Sequence, residues 1–140
     1  MLQIICSREL SLELYEDLTK LWNAAGISNP ARSDSWAAIK HSLEHTGYLI
    51  LAYQGDQLCG SAWLTHDYRR LYLHHMAVYP QFQDQGIGRQ IMQKSLQIAS
   101  ELGYQAKLEV HHTNNRALHL YREFGFTELE GYLSMIRRQK

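Results

Sequence analysis

Cysteine and proline are nearly absent from this chain: only 2 of its 140 residues are cysteine and 2 are proline. Cys6 and Cys59 stand alone in apolar, strand-like surroundings with no Cys-x-x-Cys pair, which argues for two reduced core thiols and against a disulfide framework or a cysteine zinc site. Repeats, low-complexity tracts and linkers are missing too. Lys+Arg and Asp+Glu balance at 14 each, so no global field steers the protein to nucleic acid or to an anionic membrane. No apolar run is long enough to span a bilayer, and Met1 to Leu10 lacks the charged-then-apolar order of a signal peptide, so a cytoplasmic protein is expected. Histidine is the exception, at 8 residues. His74-His75 and His111-His112 are adjacent pairs on strand or strand-end segments, so the members of each pair should point to opposite faces. No helix carries His-Glu-x-x-His, and no metal is expected.

What is present is a chain long enough for one domain with one core, burying roughly two-thirds of its unfolded surface. Leu2 to Cys6 reads as a short strand. Leu10, Leu14, Leu18, Leu21, Trp22 and Ala25 then share a helical face, with Ser11 as N-cap. Gly26 to Ala31, which contains Asn29-Pro30, breaks the pattern, and Trp36, Ile39 and Leu43 mark a second helix. Tyr48–Tyr53 and Gln57–Leu64 flank Gln54-Gly55-Asp56 as a hairpin. The strand Leu71–Tyr79, the helix Arg89–Leu102 and the strand Lys107–Val110 form a right-handed βαβ unit, with Ile91, Ser95, Ile98, Ala99 and Leu102 as the buried stripe and Gly103 as the stop. A helix over Asn115–Phe124 and a closing hairpin, Phe126–Glu130 with Tyr132–Arg137 turned at Gly131, complete an α/β fold.

The segment Gln83-Asp84-Gln85-Gly86-Ile87-Gly88 joins the Leu71 strand to the Arg89 helix. Amides at a helix N-terminus lack intrahelical partners, and two glycines leave room for a phosphate to reach them. The dinucleotide fingerprint is excluded because Ile91 stands where its third glycine belongs; the P-loop is excluded because Gly88-Arg89-Gln90 replaces Gly-Lys-Ser/Thr. The loop also lies at the carboxyl end of its strand, where α/β sheets bind ligands.

Gln83-x-x-Gly86-x-Gly88, preceded by Met76-Ala77-Val78-Tyr79-Pro80, resembles the cofactor motif of the GNAT superfamily of acyl-CoA-dependent N-acetyltransferases. A second block, Leu108-Glu109-Val110, Asn114-Asn115-Arg116-Ala117, Leu120-Tyr121 and Gly125-Phe126, follows in that family's order and is most like ribosomal-protein N-terminal alanine acetyltransferases. The resemblance implies a single domain over residues 1–140, a mixed sheet splayed between its fourth and fifth strands with about four flanking helices, and direct acetyl transfer from acetyl-CoA to a primary amine. It also implies a cofactor site. Backbone groups at Met76, Ala77 and Val78 would meet the pantetheine arm, the amides of Gln85, Gly86, Ile87, Gly88, Arg89 and Gln90 would hold the pyrophosphate, and Gln83 and Asp84 would frame the loop. The family often carries a cation just before the first glycine; here Asp84 and Gln85 stand there, which throws affinity onto Arg89 and the helix dipole.

An attacking amine must be neutral, yet an alkylamine with a pKa near ~10 is mostly protonated at neutral pH, so a base or a water relay is needed. Glu109 is one candidate by resemblance and an ion-paired strand carboxylate otherwise; His74 is the second, or else a structural histidine. By the same resemblance Tyr121 is the expected proton donor to the departing thiolate, or otherwise an ordinary aromatic on the inner face of its helix, and Asn114 is expected on the pantetheine while also serving as a helix N-cap. The acceptor, a small-molecule amine or a peptide N-terminus, should be recognised by Asn23–Asp34, His66–Arg70 and Glu130–Tyr132, with Trp22, Trp36, Trp63, Tyr68 and Tyr132 as aromatics of its cleft or of the core. A homodimer is compatible with the resemblance. The competing reading is a non-catalytic acyl-CoA-binding sensor.

Overall fold

The structure is a computed structural model that describes residues 1–27 and 34–138. Two compact units make it up, Met1–Glu109 and Val110–Lys140. In the first unit lie strands β1 (Leu2–Ser7), β2 (Tyr48–Gln54), β3 (Gln57–His66), β4 (Arg70–Val78) and β5 (Gln105–Leu108), with helices α1 (Leu12–Ala24), α2 (Trp36–His45) and α3 (Ile87–Leu102). The second holds helix α4 (Asn115–Glu123). The five strands form one mixed sheet in sequence order, antiparallel except where β4 pairs with β5. This is the α/β fold the sequence pattern predicts.

Local chemistry accounts for most element ends. Ser11 and Ser35 cap α1 and α2 by accepting from the amides of Leu14 and Ala38, at 3.0 and 3.1 Å. The β2–β3 hairpin turns through Gly55, whose φ of +59° suits the two-residue loop between Gln54 and Gln57. Gly103, at φ +78°, ends α3.

Alternation along β2 splits the core in two. Leu49 and Leu51 join Leu18, Leu21 and Trp22 of α1, Ile39 and Leu43 of α2, and Leu58, Trp63 and Ala77 in one buried cluster. The opposite face receives α3, and Gly60 of β3 is what lets the helix close in: a Cβ there would lie 2.9 Å from Cδ1 of Ile91 and 3.2 Å from Cγ2 of Ile87. The buried stripe of α3 is Ile87, Ile91, Met92, Ser95, Ile98 and Ala99. Leu102, expected in that stripe, is only half-buried.

Several expectations shift. The helix after the glycine loop starts at Ile87 rather than Arg89, which places Gly88 in its first turn. The strand expected over Lys107–Val110 lies two residues earlier, at Gln105–Leu108, because Lys107 and Leu108 continue the register that Gln105 and Ala106 open against Arg70 and Leu71. No strand forms over Phe126–Glu130 or Tyr132–Arg137; a turn at Glu130-Gly131 is present, and the side chains of Leu133, Met135 and Ile136 are exposed. Cys59 is buried as expected, whereas Cys6 is exposed on β1, the edge strand of the sheet. Most of the break over Gly26–Ala31 falls on residues 28–33, outside the described ones.

Candidate functional site

The site is built around β4. Its pairing with β5 runs only from Arg70 against Gln105 to Leu73 against Leu108, so His74 to Val78 continue without a β5 partner. The sheet splits there. Along its other edge β4 carries a bulge: Trp63 pairs with His74 and Ser61 with Ala77, so three steps on β4 match two on β3. The extra residue is absorbed at His75, whose φ of 44° lies in the left-handed region that a non-glycine residue enters at a cost of order 1 kcal/mol.

The bulge overturns the expectation that His74 and His75 point to opposite faces. Both rings lie against Trp63, with centroids 5.1 and 5.8 Å away. The His75 ring is also 4.6 Å from Trp22, its Nε2 contacts Oδ2 of Asp34, and its side chain is only 4% exposed. His74 pairs through Nε2 with Oγ1 of Thr65 at 2.8 Å. Burial, and secondarily the neighbouring His75, hold the His74 imidazole below its ordinary pKa, while Asp34 and Glu109 push back weakly. A neutral imidazole at neutral pH is the consequence. Glu109 itself is exposed, one residue past the end of β5.

Beyond β4, Gln83 reaches back to donate from Nε2 to the carbonyl of Val78 at 3.2 Å, pinning the loop to the strand. Asp84 adopts φ 64° and is exposed, so its carboxylate is at the rim of the loop. Gly86, at φ +79°, is the N-cap of α3; its carbonyl accepts from the amide of Gln90 at 3.1 Å, which opens the helix ladder. The amides of Ile87 and Gly88 precede that first bond and have no carbonyl four residues back within the helix. A helix start with unbonded first-turn amides therefore stands at the carboxyl end of β4, with the Gln90 amide already engaged.

In the second unit Asn114 caps α4, its Oδ1 accepting from the Ala117 amide at 3.2 Å. Tyr121 lies on that helix with its ring 5.9 Å from Phe126, whose amide donates to the Tyr121 carbonyl at 3.0 Å. Burial pushes the phenol above its ordinary pKa, so it is protonated at neutral pH. His111 and His112, expected on opposite strand faces, instead precede α4 in a turn and stack with centroids 4.6 Å apart.

Of the five aromatics named for an acceptor cleft, Trp22 and Trp63 are core residues whose indoles donate to Ser61 and Ser42 at 3.1 and 3.0 Å. Trp36 is half-buried against Tyr15, and Tyr68 and Tyr132 are largely exposed. Sequence reasoning missed the pairing of His75 with Asp34, because a bulge brings the two together and no alternation pattern announces a bulge, and it missed Thr65 as the partner of His74.

The profile of the Acetyltransferase (GNAT) family matches residues 11–126. The chain belongs to the GNAT acetyltransferase family. It is similar to a thialysine N-epsilon-acetyltransferase of Mus musculus, 36% identical over 95 residues that make up 65% of this chain and 54% of that protein. The chain thus spans about half the length of that curated relative. Among solved GNAT structures, a GNAT family acetyltransferase from Streptococcus pneumoniae TIGR4 aligns with a TM-score of 0.77 at 28% identity, covering 98% of this chain and 97% of that one. The ribosomal-protein-S18-alanine N-acetyltransferase of Escherichia coli aligns with a TM-score of 0.76 at 21% identity, over 91% of this chain and 79% of that one, a likeness of fold. No helix among the described residues is long and apolar enough to cross a membrane.

Proposed function

We propose that this GNAT protein is a single N-acetyltransferase domain that moves acetyl from acetyl-CoA directly to a primary amine. One observation carries the reading: β4 parts from β5 after Leu73, and the glycine-opened start of α3 follows at the carboxyl end of that strand. A thioester arm laid against the exposed edge of β4 would pair with backbone at Met76 and Val78, past Ala77, while its pyrophosphate meets the amides of Gln85, Gly86, Ile87 and Gly88. Arg89, exposed in the first turn of α3, supplies the cation that Asp84 and Gln85 do not. Gln90 contributes its side chain at most, since its amide serves the helix.

His74 is the favoured base, or the residue that positions a water relay, because it is held by Thr65 and kept neutral. Glu109 is second, as an exposed carboxylate past β5. With an acetyl thioester bound, His74 or Glu109 would take the proton that the attacking amine gives up, and Tyr121 would serve the thiolate that leaves. A phenol above ~10 yields its proton uphill to a thiolate whose conjugate acid lies near ~8.5, so its main service is the hydrogen bond that stabilises the developing negative charge. Asn114 would orient the pantetheine near the reacting carbonyl. No covalent acyl-enzyme is invoked, since Cys59 is buried with its thiol turned to the Ala52 carbonyl at 3.3 Å and Cys6 lies on the far edge strand.

The mouse relative supports a small molecule bearing a side-chain amine over a peptide N-terminus. The test is calorimetric titration with acetyl-CoA followed by free-thiol release across thialysine, lysine, polyamines and peptide N-termini. Saturable binding with thiol release by at least one amine is expected. Binding without any acceleration would mean an acyl-CoA sensor, and no heat with any CoA species at millimolar concentration would end the cofactor assignment.

A further inference from the structure

The geometry points to a divalent transition-metal site on the last two turns of α2, made by His41, Glu44 and His45. The site owes nothing to the acetyl-transfer reading. These residues stand at i, i+3 and i+4, the spacing that stacks side chains on one helix face. One donor atom from each lies within 4.8 Å of the other two, and no other group of three histidine, cysteine, aspartate or glutamate side chains converges so among the described residues. The His41 and His45 rings already approach with centroids 4.5 Å apart at 61°. A tetrahedral ion about 2.1 Å from each imidazole nitrogen holds its donors roughly 3.4 Å apart, so small rotations of exposed side chains close the site. The order His-x-x-Glu-His is the reverse of His-Glu-x-x-His.

Two further observations favour an ion here over a merely solvated face. First, the scaffold is fixed: Arg8 donates from Nε to the carbonyls of Leu43 and Gly47, both at 3.2 Å, and from Nη2 to the carbonyl of His45. The last turn of α2 is tied to the segment after β1, and little backbone freedom remains to be lost on binding. Second, the nearby cations are held elsewhere. The Arg8 guanidinium is spent on those carbonyls, and the Lys40 ammonium sits 5.6 Å from the centroid of the Trp36 ring. His41, Glu44 and His45 are all exposed, which leaves room for water on the remaining coordination positions. Two imidazoles and one carboxylate select zinc, nickel, cobalt or copper over magnesium or calcium.

The experiment is calorimetric titration of the untagged full chain with zinc chloride, repeated on His41→Ala, His45→Ala, Glu44→Gln and a His111→Ala/His112→Ala control. All of these side chains are exposed, so the variants should fold. A single equivalent should bind in the micromolar range. Either single histidine substitution should weaken binding at least about tenfold, the scale on which even indirect partners of metal ligands act. Glu44→Gln should weaken it severalfold, and the control should match the wild type. Excess zinc should also raise the Tm of the wild type but not of His41→Ala. Absence of stoichiometric binding, or binding unchanged by His41→Ala and His45→Ala, would overturn the site.

Discussion

Gly60 tests whether the seat of α3 is as tight as its packing implies. A Cβ at this position would meet Ile91 Cδ1 at 2.9 Å, the Ala77 carbonyl oxygen at 3.1 Å and Ile87 Cγ2 at 3.2 Å. The methyl of Ile91 can swing aside, but Ile87 lies in the first turn of α3 and the Ala77 carbonyl belongs to β4, so the helix must lift by a few tenths of an ångström. Overpacking of this kind costs about 1–3 kcal/mol, and the lost backbone freedom of the unfolded chain returns roughly 0.4–1 kcal/mol. Gly60→Ala should therefore be destabilised by about 1–2 kcal/mol, a fall in Tm of several degrees for a domain of this size. Since the helix start is the proposed phosphate cradle, acetyl-CoA affinity should fall as well. Ile91→Val removes the nearest clashing atom; alone it should cost about 0.5–1.5 kcal/mol. Combined with Gly60→Ala it should cost less than the sum, by at least about 0.5 kcal/mol in a denaturant double-mutant cycle. A Gly60→Ala protein of wild-type stability, or strict additivity with Ile91→Val, would refute the packing argument.

Other outcomes follow from the same structure. Tyr121→Phe should lower kcat by about 10²-fold or more while leaving the calorimetric Kd for acetyl-CoA unchanged; an equal loss in both would make the phenol a binding group instead. Because burial depresses the folded pKa of His74, the unfolded chain holds more protons between that depressed value and about 6.5. The stability His74 contributes is thus complete above about pH 6.5 and declines as pH falls below it, and urea midpoints from pH 5 to 8 should show a shallower fall in His74→Gln than in wild type. An unchanged slope would contradict the assignment. Trp22→Phe should strand the buried Ser61 hydroxyl at a cost of about 1–3 kcal/mol, and adding Ser61→Ala should recover part of it; no recovery would mean that the 3.1 Å bond carries no weight.

Periodicity made the helices and most of the sheet legible before any coordinates. Leu18, Leu21 and Trp22 recur at helical spacing, the Gly55 turn announces its hairpin, and a glycine loop between strand and helix announces the start of α3. Each is a short-range property of neighbouring side chains and φ/ψ preferences. The closing hairpin was misread for a related reason: Gly131 does make a turn, but alternation around it cannot say whether a partner edge exists to pair with. The β4 bulge is beyond such reading altogether. One extra residue in a strand leaves no mark on composition, yet it turns His75 onto the face where Trp22, Trp63 and Asp34 gather.

By itself the sequence determined most of the helices and strands, the order of the βαβ unit and the residues at the glycine turn, because these follow from local sterics and from the period of apolar side chains. Tertiary structure alone decided where β4 leaves β5, how closely α3 seats on Gly60, and which histidine is held by Thr65 and which by Asp34. Those features depend on register between strands distant in the chain, and a one-residue shift in register changes the neighbours of every side chain beyond it.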